Sequence, residues 1–190
     1  VAGHGGHFSK ADVTIDPGNA DEPIKVANLE MGSIGTPESH KTHDSRIDAN
    51  DRSTLFWSTY ALDKDGQMHV GKTNLKTGEV LKDVALAPDP RAPAKTGPVY
   101  CASGQSKNAF LPVFMGSEGY VDVFDKKTMK HERRVLICDP GVQPRRDPFA
   151  QAANSNDPKT FLIAGPAKGE GGQPNGIHEL CLCATPAPGA

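Results

Sequence analysis

The sequence predicts an all-β chain assembled from repeated four-stranded antiparallel units. Three observations carry that expectation. Gly (20) and Pro (16) make up nearly a fifth of the 190 residues, which favours many turns and short strands over long helices. No window sustains the 3.6-residue apolar period of an amphipathic helix, and the stretches free of Gly and Pro alternate polar and apolar residues or are plainly polar. The chain also repeats itself. Aligning Lys76-Thr77 with Lys127-Thr128 brings Asn74 onto Asp125, Val70 onto Val121 and His69 onto Tyr120.

The elements follow in order. "HFSKADVTIDPGNADEPIKVANLEMG" (His7–Gly32) reads as the third and fourth strands of an incomplete unit, joined by a Pro-Gly turn. A full unit over 42–88 begins with "THDSRID". It continues through "STLFWSTYAL", with Trp57 as a core residue, and "MHVGKTN", and ends in "GEVLKDVAL". Turn chemistry in "ANDRS", "DKDGQ" and "KTGE" separates its strands. A second full unit over 97–139 repeats the plan with "PVYCASGQSK", "NAFLPVFMG", "GYVDVFD" and "MKHERRVLI". A third, over 145–183, offers three strands within "RRDPFAQAANSNDPKTFLIAGP", where "FLIAG" matches "FLPVF", and "IHELCLC", before a tail at 184–190. The whole of 1–190 is thus one repeat domain with strands grouped two, four, four and three.

Four-stranded antiparallel units of about 40–50 residues are the blades of a β-propeller. A small twisted sheet cannot bury both faces alone, so neighbouring blades stack and bury them in turn. The alternative fold is a β-sandwich whose hairpins happen to look repeated. At the level of the blade, "DGQMHVGKTNLKTGEV" (Asp65–Val80) and "EGYVDVFDKKTMKH" (Glu118–His131) resemble the exported bacterial and archaeal propellers known as YVTN or surface-layer repeat proteins, in which a D-G-x-V-x-V-I-D-x-x-T-G-x-V segment forms strand three and its turn. The resemblance implies blade architecture over most of 42–183 and leaves function open; the YVTN tetrapeptide is absent.

Two full and two partial blades fall short of the roughly 4–8 that close a propeller. A chain left in that state exposes strand edges. The expectation is assembly with another protein chain, a second copy or a different subunit, that completes the structure. A closed ring made within one chain, with the N-terminal strands joining the last unit, is the tighter alternative.

Composition excludes several other partners. The net charge is −2 with lysine and arginine spread along the chain, so no basic face suggests nucleic acid. No apolar run approaches the ~18–20 residues of a membrane-spanning helix. The chain starts at Val1 rather than Met and holds an even number of cysteines, Cys101, Cys138, Cys181 and Cys183, both of which fit an exported protein of the periplasm, cell surface or extracellular space. The four cysteines allow two disulfides in three connectivities; zinc is the rival reading, without a CxxC pair to support it. No CxxCH motif is present to attach a c-type haem.

Candidate chemistry is sparse. His40 and His43 precede an innermost strand, where propellers line their central channel. With Asp44 and Arg46, and with Arg146 and Asp147 of the third unit, they form a candidate channel set for a small anion or a docking partner. Neutral imidazole also ligates metals, and "GHGGH" offers His4 and His7 as a weak metal site. Against these stand plain turn and capping roles for the channel set and a flexible terminus for "GHGGH". No GxSxG elbow and no phosphate-binding loop are present. The favoured reading is therefore an exported propeller-type chain that acts mainly as a scaffold or interaction module, with the question of catalysis left open and leaning against it. The alternative is a propeller subunit of a periplasmic redox metalloenzyme or electron-transfer complex.

Overall fold

The computed structural model describes residues 6–36, 42–59, 62–87, 99–101, 107–115, 120–136, 151–154, 160–165 and 176–181. Every regular element among them is a strand. There are thirteen: β1 (His7–Ile15), β2 (Ile24–Ser33), β3 (Thr42–Ile47), β4 (Thr54–Thr59), β5 (Met68–Asn74), β6 (Val80–Leu86), β7 (Val99–Cys101), β8 (Phe110–Met115), β9 (Tyr120–Asp125), β10 (His131–Leu136), β11 (Gln151–Asn154), β12 (Thr160–Gly165) and β13 (Gly176–Cys181). They form four antiparallel sheets: β1-β2, β3-β4-β5-β6, β7-β8-β9-β10 and β11-β12-β13. Each sheet runs in strict sequence order. A sandwich would need crossings between sheets, and none occurs among the described residues. The two four-stranded meanders are blades of propeller type, and the grouping of two, four, four and three is the one expected from sequence.

The repeat extends to individual hydrogen bonds. At the end of β5, Asn74 Oδ1 accepts from the Lys76 backbone at 2.8 Å, and the Gly78 N–H reaches back to the Asn74 carbonyl at 2.8 Å. At the end of β9, Asp125 Oδ1 accepts from the Thr128 backbone and hydroxyl at 2.7 and 2.8 Å, and the Met129 N–H reaches the Asp125 carbonyl at 2.7 Å. Both turns close through a residue of positive φ, Gly78 at 74° and Met129 at 59°. Glycine adopts that conformation freely; methionine pays about 1–2 kcal/mol. Met129 is held there because its side chain is buried in the core between the blades.

The first blade is covered on both faces. On one, Phe56, Met68 and Val70 pack against Leu111, Val113, Phe124 and Met129 of the second blade. On the other, Leu55 and Trp57 pack against Phe8 and Ile34, at the base of the β1-β2 ribbon. Register explains the division: successive strand residues alternate faces, so Phe56 and Trp57 point to opposite cores. Trp57 lies over Gly71, its partner on β5, so closely that a Cβ at position 71 would fall inside the indole. The strand expected at "MHVGKTN" thus carries its glycine to make room for the tryptophan.

Candidate functional site

Among the described residues, the contacts that hold the β1-β2 ribbon to the first blade gather at one end. Phe8 is buried there over Gly32, its cross-strand partner, and the Ile34 N–H bonds the Gly6 carbonyl at 2.8 Å. Beyond this base the ribbon projects, and its tip is closed by the Gly18 N–H donating to Asp16 Oδ1 and the Asp21 and Glu22 N–H groups donating to Asn19 Oδ1. A bulge at Asn28-Leu29 of β2, opposite Ala11 and with Asn28 at φ 52°, changes the register midway.

Strand alternation then sorts the ribbon into two unlike faces. One carries Lys10, Asp12, Thr14, Lys25 and Glu30, with Lys10 Nζ bonded to Glu30 at 2.8 Å and Asn28 Nδ2 donating to Asp12 at 2.7 Å. The other carries Val13, Ile15, Ile24, Val26, Leu29 and Met31. These six apolar side chains are 58–76% exposed. The pairs Val13–Val26 and Ile15–Ile24 stand directly opposite one another in the ladder, so the patch is continuous. Monomeric proteins rarely leave a contiguous apolar face of this kind open to water.

Two polar chains fix the base of the ribbon to the blade. Trp57 Nε1 donates to Thr73 Oγ1 at 3.0 Å, and Thr73 in turn donates to the Ile34 carbonyl. Beside it, Thr36 Oγ1 donates to Asp83 Oδ2 at 2.9 Å, while the other oxygen of Asp83 meets His69 Nδ1 at 2.7 Å. His69 Nε2 meets Asp63 Oδ2 at 3.0 Å. Asp63 itself accepts from the backbones of Asp65 and Gln67, both at 2.8 Å. The imidazole is thus buried between two carboxylates. Burial is the largest influence on His69 and disfavours the charged ring, but the bonds and charges of Asp63 and Asp83 outweigh it and raise the pKa above its ordinary value. Asp63 is held below the usual carboxylate range, first by its backbone bond from Gln67 and then by His69.

A different set of charges joins the two blades. Lys126 Nζ meets Asp48 Oδ1 at 3.2 Å, with both side chains largely buried, and sits 5.7 Å above the centre of the Phe56 ring. Lys72 crosses in the opposite direction to the carbonyls of Lys126 and Lys127 at 3.1 and 2.7 Å. Asp122, buried on the second blade, takes His131 Nε2 at 2.7 Å and a two-pronged grip from Arg134 at 2.9 and 3.0 Å. Arg134 also donates to the Ala87 carbonyl past the end of β6. In the sequence, Asp125 and Lys126 look alike as turn residues. The structure separates them: Asp125 makes the turn, and Lys126 enters the joint between blades.

Of the channel set from sequence, His43, Asp44 and Arg46 lie on β3. His43 and Asp44 lie at the start of β3, an edge strand with a register shift between Thr42 and Asp44, and β7 of the second blade lies against β3 and β4. Arg46 Nη1 donates to the neighbouring Ser45 carbonyl at 3.0 Å. His40, Arg146 and Asp147 lie outside the described residues, as do His4, Cys138 and Cys183. His7 opens β1 opposite Ser33 and is exposed, and Cys101 and Cys181 close β7 and β13. Among the described residues no group of three or more His, Cys, Asp or Glu side chains is arranged to hold a metal ion. No described helix is long and apolar enough to cross a membrane.

Sequence reasoning missed both the exposure of the ribbon and the clamp on His69. The alternation in "DVTI" and "IKVAN" was visible, but alternation ordinarily marks the face that enters a core. Asp83 reaches His69 diagonally across the β5-β6 ladder, a relation that only the register supplies.

No protein-family model matches the chain, and no curated protein matches it. Solved structures of low similarity do. A functionally unknown protein from Desulfotomaculum acetoxidans is 15% identical, with a TM-score of 0.49, over 93% of this chain and 49% of its own. Hydrazine synthase from Kuenenia stuttgartiensis is 14% identical, with a TM-score of 0.45, over 84% and 37%. BamB from Moraxella catarrhalis is 19% identical, with a TM-score of 0.43, over 83% and 38%. The chain spans less than half the length of each of these proteins. Its assignment as a set of propeller-type blades rests on its own sheet topology.

Proposed function

We propose that this chain is a propeller-type scaffold that docks another protein chain through the apolar face of its β1-β2 ribbon. The observation that carries the reading is that face: six neighbouring apolar side chains, more than half exposed, on a ribbon whose charges all lie on the other side or at the tip. Burying such a face returns on the order of 25 cal/mol per Å² of apolar surface, and nothing on the described chain covers it. The polar chains through Thr73, Asp83 and His69 present the ribbon at a fixed place on the first blade. The four cysteines suit an oxidising compartment, and the proposal places the scaffold outside the cytoplasm.

An apolar dye such as anilinonaphthalene sulfonate tests the docking face on the purified protein, with native mass spectrometry reporting subunit count alongside. The ribbon should either bind the dye as a monomer or be covered in an assembly. Replacing Leu29 and Met31 by lysine should then abolish whichever is seen. A monodisperse monomer that binds no dye would sink the reading.

A further inference from the structure

We infer that the occupant of the ribbon face is a second copy of this chain, meeting it face to face about a twofold axis with the two ribbons antiparallel. The inference rests on the docking reading above and names its partner. Three features of the ribbon select a second copy.

The first is area. Full burial of a Val, Leu, Ile or Met side chain is worth about 1.5–3 kcal/mol at about 25 cal/mol per Å², or roughly 60–120 Å² each. At the observed exposures the six side chains leave roughly 230–460 Å² of apolar surface open per chain. Two copies bury roughly 460–930 Å² of it together, from half to all of the apolar share, about 900 Å², of a standard interface of about 1,600 Å². The second feature is self-complementarity. A twofold interface sets a patch against itself, so any charge within it meets its own like. Here Lys10, Asp12, Lys25 and Glu30 all lie on the opposite face, and two apolar ladders can pack without a like-charge contact. The third is the tip. Asp16, Asp21 and Glu22 crowd the turn. Antiparallel ribbons hold the two acidic tips apart, whereas parallel ribbons would bring six carboxylates together. The same tip argues against a lipid surface, which would have to admit three carboxylates beside the apolar face.

The test uses the full chain and three proteins: wild type, Val26→Lys on the apolar face, and Thr14→Lys on the polar face. Val26 is largely exposed, so its replacement should not disturb the fold, and the fluorescence of Trp57, the one tryptophan, reports folding. Mass is followed by light scattering and sedimentation through the micromolar range. The wild type should dimerise, Thr14→Lys should match it, and Val26→Lys should associate at least roughly a hundredfold more weakly, because each lysine would be buried without a partner in the apolar interface. A monodisperse wild-type monomer would overturn the inference, and so would a dimer that Val26→Lys leaves intact. So would a monomer that binds phosphatidylglycerol vesicles in a Val26-dependent manner. Dye binding then separates the two claims: a monomer whose ribbon takes the dye keeps the docking reading and loses the second copy, and a monomer that takes none loses both.

Discussion

Replacing His69 by Phe removes the imidazole that positions Asp83, the carboxylate in one of the two polar chains at the base of the ribbon. His69 Nδ1 and Asp83 are 2.7 Å apart, with side-chain exposures of 10% and 17%, and Asp83 also carries the Thr36 bond. A hydrogen bond to a charged group in such a setting is worth about 1.5–3 kcal/mol, so the variant should lose about 2 kcal/mol in urea unfolding. The pH dependence is the sharper signature. Asp63 and Asp83 raise the pKa of His69 in the folded chain above the ordinary value of 6.5, so folding favours the protonated ring. That stabilisation is complete below 6.5 and drains away as pH rises through the folded pKa. Wild type should therefore lose stability across that window, and His69→Phe should lose none of this component. His69→Gln separates the two effects: its amide can donate to one carboxylate but does not titrate, so it should recover part of the stability and none of the slope. A His69→Phe protein that keeps the wild-type slope, or that unfolds within about 0.5 kcal/mol of wild type at low pH, would refute the clamp.

Other outcomes follow from the packing. Gly71→Ala drives a methyl into the Trp57 ring and should cost at least about 1–3 kcal/mol in thermal unfolding, with a shift in Trp57 fluorescence; an unchanged midpoint would contradict the close approach. Lys126→Ala leaves Asp48 largely buried without its cation and should cost about 3 kcal/mol, most of it recovered when Asp48→Leu is combined with Lys126→Met in one chain. Gly78→Ala meets open space but must adopt a φ of 74°, so it should cost about 1 kcal/mol, all of it from the backbone. The turn carboxylates Asp51, Asp63 and Asp125 are held low, in each case first by hydrogen bonds within their own turns. Folding therefore favours their charged forms, and acid titration should destabilise the chain as pH falls below their ordinary value of 3.8.

The parts of the fold legible in the sequence are those written in local code. Asn74 and Asp125 announce their turns because a short side-chain acceptor two or three residues before a free N–H is a local arrangement. The internal repeat and the turn signals on either side located β4, β5, β8 and β9 for the same reason. What depends on register was hidden. That Lys126 leaves its turn to meet Asp48, or that Asp83 reaches His69, follows from how one strand slides against the next. Burial was hidden as well: Val13 and Ile15 alternate as core residues do, and only the finished sheet reveals that they face outward. The histidines drew attention by spacing, in His40 and His43, whereas the histidine with a defined environment, His69, sits alone in a strand.

Amide hydrogen exchange, followed by mass spectrometry as a function of protein concentration, tests the account most directly. Central strands β4, β5, β8 and β9, enclosed by the two blades and the ribbon base, should exchange slowly at every concentration. Amides of β1 and β2 beyond the Phe8 anchor should exchange fast in dilute protein and slow markedly as it concentrates. Ribbon amides already as protected in dilute protein as those of β4 and β5 would contradict the account, because the ribbon would then be covered by its own chain.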